Sequence, residues 1–158
     1  MQQSITINYE EFESINELSD SDKELLLSSF AATNLAYAPY SNFKVGAAAK
    51  LSDNSIITAA NQENASYGAT ICAERALLLN PAITSNNYIE IIAISYVKAN
   101  GESLNPLSCC GICRQALLEY EQRIAKPIKL ILGGRTGKVW IFNNLSCLLP
   151  LGFSNKSL

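Results

Sequence analysis

The chain has 158 residues, of which 48% are apolar and 16% charged, with a formal charge of −2 and no histidine. That length and composition fit one domain (1–158) with a real hydrophobic core and exclude a disordered chain. No run approaches the ~20 apolar residues of a membrane span, and there is no concentrated basic footprint of the kind nucleic acids require.

Residues 1–18 read as an extended lead-in, with Ile5, Ile7 and Tyr9 alternating as in a short edge strand. Ser19–Ser21 offers N-caps for a helix over about 20–37, ended by Ala38-Pro39-Tyr40-Ser41. Phe43–Leu51 and Ser55–Ala60 read as strands joined at Asp53-Asn54, and the small residues Gly46–Ala49 imply close packing against a helix. A loop from Asn61 to Thr70 precedes a second helix over about Cys72–Leu79, stopped by Asn80-Pro81. Tyr88–Val97 reads as a buried central strand, and Asn100-Gly101 turns the chain toward a third helix over about Gly111–Gln122. Ile128–Leu132 and Val139–Phe142 are two further strands. This order predicts a mixed β-sheet flanked by helices, an α/β class. The Met1-Gln2-Gln3-Ser4 start shows no secretory pattern, and the expected location is the cytoplasm.

The chemistry-bearing residues form two groups. Cys72-Ala73-Glu74 opens the second predicted helix, and Cys110-Gly111-Ile112-Cys113 opens the third. Positions i and i+3 share a helix face, so Cys110 and Cys113 can reach one ion. Helix N-termini favour the thiolate that binds metal. Three protein ligands leave a fourth position open, as catalytic zinc requires. With no histidine, proton transfer falls to another group, and Glu74 lies two residues from a ligand. Three thiolates leave the zinc site net negative, and Arg75 and Gln115 are candidates to donate hydrogen bonds to ligand sulfurs. The same residues taken singly have plainer readings. Cys72 can be a core thiol, CxxC a redox or structural pair, and Arg75 a solvated helix charge.

Together they resemble the zinc-dependent cytidine deaminases, and the three-cysteine form resembles the small homotetrameric class. Further likeness lies in Tyr40-Ser41-Asn42-Phe43-Lys44-Val45-Gly46-Ala47-Ala48, Asn61-Gln62-Glu63-Asn64-Ala65-Ser66-Tyr67-Gly68, Cys110-Gly111-Ile112-Cys113-Arg114-Gln115, and Leu148-Leu149-Pro150 with Phe153. The resemblance covers about residues 20–153. It implies a three-layer α/β/α fold, one Zn²⁺ per subunit held by Cys72, Cys110 and Cys113, and Glu74 as proton carrier. It also implies a small nucleoside substrate. Phe43 would pack on the pyrimidine, Asn61 and Glu63 would bind a sugar hydroxyl, and backbone at Ala73 would hold the base. Tyr67 and Phe153 would reach a neighbouring subunit's site.

Two positions depart from the family pattern. Cys109 stands where the family has proline, adding a thiol that can compete for metal, and the tail after Phe153 becomes Ser154-Asn155-Lys156-Ser157. Other readings stay open: a deaminase of another amino-substituted ring, an idle zinc-binding assembly protein, or a redox CxxC protein. Glu74 opposes the idle site, and neither Cys72 nor Glu74 is explained by redox chemistry.

Overall fold

A computed structural model describes residues 1–154. The tail positions 155–158 that depart from the family pattern lie outside the described residues.

The first helix, α1 (Asp20–Ala32), starts at Ser19, whose hydroxyl accepts from the Asp22 amide at 3.2 Å. Two aspartates in its first turn complement the helix dipole. It ends five residues before the predicted boundary, passing into a single 3₁₀ turn at Thr33–Leu35. The Thr33 hydroxyl donates to the Phe30 carbonyl, and Tyr37 leaves the helical path to pair with residues 61–63. That pairing draws the 36–43 segment over the loop that carries Asn61 and Glu63.

The sheet comprises β1 (Glu10–Phe12), β2 (Lys44–Leu51), β3 (Ile56–Ala60), β4 (Ile89–Val97), β5 (Lys129–Gly133) and β6 (Val139–Phe142), in the order β1-β6-β5-β4-β2-β3. Only β4 and β5 run parallel. They are joined through α3 (Gly111–Ile124), a crossover helix of the kind parallel pairing requires. The short α2 (Ala73–Leu77) follows β3.

The first strand lies later than the Ile5–Tyr9 alternation predicts, and Ile5 and Ile7 are exposed. What anchors it is side-chain chemistry on β6. The Glu11 carboxylate accepts from Trp140 Nε1 at 2.7 Å and pairs with Lys138, while Tyr9 lies against Trp140 and Phe142.

Two apolar layers confirm the α/β/α arrangement. On one face α1 places Leu25 and Leu26 against Ala48, Ala93 and Ile131. On the other, Leu77 of α2 and Leu117 of α3 pack on Ala47, Ala49, Ile92, Ile94 and Leu130. Alternate residues of β2 therefore serve opposite layers. Their small size has a geometric cause: a Cβ on Gly46 would lie 2.1 Å from the Ser29 carbonyl oxygen of α1. The second layer matters most for function, because it holds the N-termini of α2 and α3 side by side.

Candidate metal centre and cleft

Cys72 is the N-cap residue of α2 and Cys110 the N-cap residue of α3, both with extended backbone (φ −74° and −67°). Cys113 lies in the first turn of α3 and is fully buried. Their three sulfurs lie within 4.8 Å of one another, the Cys72–Cys110 pair at 3.9 Å. Zinc bonded to three sulfurs at about 2.3 Å holds them about 3.8 Å apart, so the donor set fits that ion. Among the described residues this is the only cluster of three ligating side chains.

The thiols share their protons. Donation from the Cys113 thiol, aided by Cys110 and the charge of Arg75, pulls the Cys72 pKa down to about 6 against burial and the Glu74 charge. The same bond, together with burial, pushes Cys113 up. The balance favours a thiolate at Cys72, at the positive end of α2.

Glu74 is 5% exposed and lines a cleft of about 420 Å³ together with Phe43, Asn61, Glu63, Cys72 and Cys110. A larger concavity of about 650 Å³ lies at the far end of α3 beside Tyr88 and Arg123 and contains none of these groups. The chemistry belongs to the smaller one. Cys109, the residue in the family's proline position, is buried next to Glu74. Burial first, and then the Glu74 charge, push its thiol pKa far up, so it stays neutral. It is not one of the three converging sulfurs.

Phe43 enters the cleft with its other ring face stacked on Tyr96 at 5.4 Å and 18°. Tyr96 is 4% exposed, so the platform is rigidly backed. The Asn61 side chain is largely committed: Oδ1 accepts from the Val45 amide at 2.8 Å and Nδ2 donates to the Phe43 carbonyl at 3.0 Å. It holds the start of β2, leaving one N–H and one lone pair uncommitted. Glu63 is also engaged, accepting from the Ser41 hydroxyl at 2.5 Å and the Tyr40 amide at 2.8 Å. The Ser41 hydroxyl holds its carboxyl below the usual carboxylate range. Ser41, whose Oγ also accepts from the Phe43 amide at 3.0 Å, is therefore part of the wall.

Tyr67 (78% exposed) and Phe153 (62% exposed) do not line this cleft. Tyr67 packs edge-on against Tyr40 above an adjoining hollow that shares Ser41, Glu63 and Thr70. Ala73 is fully buried, and its amide, the first of α2, has no intrahelical partner by position.

Two expectations about sulfur partners change. Gln115 Nε2 donates to the Phe153 carbonyl at 2.8 Å, anchoring the tail rather than a ligand sulfur. Among the described residues Arg75 forms no hydrogen bond to sulfur, and it acts on Cys72 through charge alone. Arg114 appears in the sequence only as a member of the Cys110–Gln115 motif, with no role of its own. In sequence it is one more helix arginine; its acceptors are two neighbouring groups before α3 and a carbonyl 34 residues downstream, which no local pattern reveals.

Residues 19–128 match the family described as the cytidine and deoxycytidylate deaminase zinc-binding region. A cytidine deaminase of Halalkalibacterium halodurans is 36% identical over 138 residues, 87% of this chain and 98% of its own length. One from Mycobacterium tuberculosis is 46% identical over 97 residues, 60% of this chain and 69% of its own. The crystal structure of cytidine deaminase from Burkholderia pseudomallei superposes with a TM-score of 0.70 at 33% identity, covering 86% of this chain and 100% of that one.

Proposed function

We propose a function from one premise: the chain belongs to the cytidine and deoxycytidylate deaminase zinc-binding family. The reaction is the zinc-dependent hydrolytic deamination of cytidine and deoxycytidine to uridine and deoxyuridine, with release of ammonia, in pyrimidine salvage. One observation carries it: three sulfurs converge at a cleft whose wall holds a buried carboxylate two residues from one of them.

Cys72, Cys110 and Cys113 are the residues that hold the metal. When bound there, zinc supplies a Lewis acid that makes water nucleophilic near neutral pH. Glu74 does the proton work. It accepts one proton of the attacking water and delivers it to the ring nitrogen beside the amino-bearing carbon, then takes the remaining proton of the added hydroxyl and gives it to the departing amine. The carbon–nitrogen bond breaks, ammonia leaves, and a carbonyl remains. Burial keeps Glu74 from exchanging protons with bulk water between these steps, so one carboxylate serves as base and then as acid.

Phe43, backed by Tyr96, supports the pyrimidine face, and the Ala73 amide reaches the base. The free valences of Asn61 and Glu63 face the sugar hydroxyl common to both nucleosides. A sugar-binding wall of this kind favours nucleosides over free bases.

The reading treats the chain as one deaminase domain that assembles as a homotetramer. Exposed Tyr67 and Phe153, both outside their own cleft, support assembly, since either can complete a neighbour's site. A light-scattering mass of a single chain would refute that part. Among the described residues no helix is long and apolar enough to cross a membrane, which is compatible with a cytoplasmic enzyme.

A substrate panel tests the specificity. Zinc-loaded protein is expected to turn over cytidine and deoxycytidine, and to leave cytosine and single-stranded oligonucleotides unchanged. Faster turnover of the free base would refute the sugar-binding assignment.

A further inference from the structure

Residues 98–110 lead from β4 to the metal ligand Cys110 with no regular structure. Early in this segment Lys98, Gly101 and Leu104 have backbone partners. From 105 to 109 the pattern changes. Among the described residues, the backbone of that stretch and the Ser108 hydroxyl are held by one side chain, Arg114, while the Cys109 thiol faces Glu74. Its Nε donates to the Cys109 carbonyl at 2.8 Å, and one terminal nitrogen donates to the Ser108 hydroxyl at 2.8 Å. The other donates to the Leu148 carbonyl at 3.1 Å.

That third acceptor is itself fixed. Glu121, 7% exposed, accepts from the Leu145 amide at 2.7 Å and the Ser146 amide at 2.9 Å, setting the 3₁₀ turn Ser146–Leu148 against α3. Arg114 therefore ties the stretch before Cys110 to a rigid point of the fold. The tether matters because Leu107 and Ser108 form part of the cleft wall and Cys109 precedes a ligand. It matters more in this chain because residue 109 is cysteine. A proline there would fix φ near about −65° without help, whereas a cysteine leaves the backbone torsion to its surroundings.

We infer that Arg114 is a positioning residue, which holds the Ser108–Cys109 segment so that Cys110 stays aimed at the metal and does the restraining that a proline at 109 would otherwise share. The planar fork is essential to this role, since a lysine carries the charge but cannot reach three divergent acceptors at once. The inference rests on Cys110 being a zinc ligand, as proposed above.

The test is the rate at which zinc-loaded protein gives up its metal to a chromogenic chelator, with no substrate present. Arg114→Lys is expected to keep its circular dichroism and to release zinc about tenfold faster than the unaltered chain, the size typical of lost outer contacts to a metal site. Arg123→Lys, a change on the same helix at its far end, should release zinc at the unaltered rate. In a Cys109→Pro background the effect of Arg114→Lys should shrink to about threefold or less, because the ring restores part of the restraint. A folded Arg114→Lys protein that holds zinc as well as the unaltered chain would overturn the inference. So would an equal effect in both backgrounds. Arg114→Ala, which removes all three bonds, should release zinc at least as fast as Arg114→Lys, and release at the unaltered rate would likewise overturn the inference. Turnover of cytidine by the unaltered protein is scored separately, so failure of the deaminase reading leaves this result legible.

Discussion

Glu121 is a carboxylate in an apolar layer, and its partners specify what its removal does. Oε1 accepts from the Ile128 amide at 2.9 Å and the Leu145 amide at 2.7 Å, and Oε2 accepts from the Ser146 amide at 2.9 Å. One side chain thus satisfies three backbone donors from two segments, at the entry to β5 and at the turn supporting Arg114. Glu121→Ala strands all three. Each buried unpaired donor costs about 1–3 kcal/mol, and part of this is recovered where water reaches the cavity, so we expect about 3–5 kcal/mol in total. Glu121→Gln keeps Oε1 as acceptor for two amides but turns an N–H₂ toward the Ser146 amide. It loses one bond and the charge assistance of the others, about 2 kcal/mol. Urea unfolding monitored by circular dichroism gives both numbers, with the midpoint falling at unchanged slope. The order unaltered, then Gln, then Ala is the signature. An alanine variant within about 0.5 kcal/mol of the unaltered chain would show that these contacts are not load-carrying in solution and would refute the reasoning.

Two more outcomes follow from the cleft. Asn61→Ala leaves the Val45 amide and the Phe43 carbonyl without their side-chain partner, so it should cost about 1–3 kcal/mol in urea unfolding and raise KM for cytidine as the Phe43 platform loosens. A raised KM with no loss of stability would assign Asn61 to the sugar alone. Glu63 has its carboxyl lowered by the Ser41 hydroxyl. A depressed folded-state pKa means that the Ser41–Glu63 contact is fully present above the ordinary carboxylate value of about 4.3 and is lost only as pH falls through the lowered one. KM for cytidine should accordingly show no Glu63 titration between about pH 5 and 8. An inflection in that window that disappears in Glu63→Gln would contradict the clamp.

Part of the metal cluster was legible from spacing, and Cys72 joined it through the Cys-Ala-Glu motif and the family resemblance. Cys110 and Cys113 share a helix face by their i, i+3 separation, and both Cys72 and Cys110 fall at the starts of predicted helices. The α1–β2 contact was legible too, since the run of small residues at Gly46–Ala49 has no other use. What failed to show was chemistry carried by remote backbone. Asn61 and Glu63 read as free sugar ligands in sequence, yet both are engaged with the 40–45 segment, and nothing local reports that segment's return. Gln115 read as a sulfur partner because it sits next to the cluster, but its reach is set by the tail carbonyl of Phe153. The first strand was placed too early because Ile5 and Ile7 alternate, whereas the anchoring contacts are those of Tyr9 and Glu11 with β6. Periodicity finds a face; it does not find the partner.

The central claim is that Glu74 carries the protons while the three cysteines hold the metal. Its most direct test pairs zinc content with cytidine turnover in the unaltered chain and in Glu74→Gln, following the ultraviolet change to uridine with ammonia as a check. The account predicts one zinc per chain in both proteins, turnover in the first, and a loss of at least about a hundredfold in the second, the lower end of general acid–base contributions. A zinc-loaded Glu74→Gln protein that still deaminates cytidine at a comparable rate would contradict it.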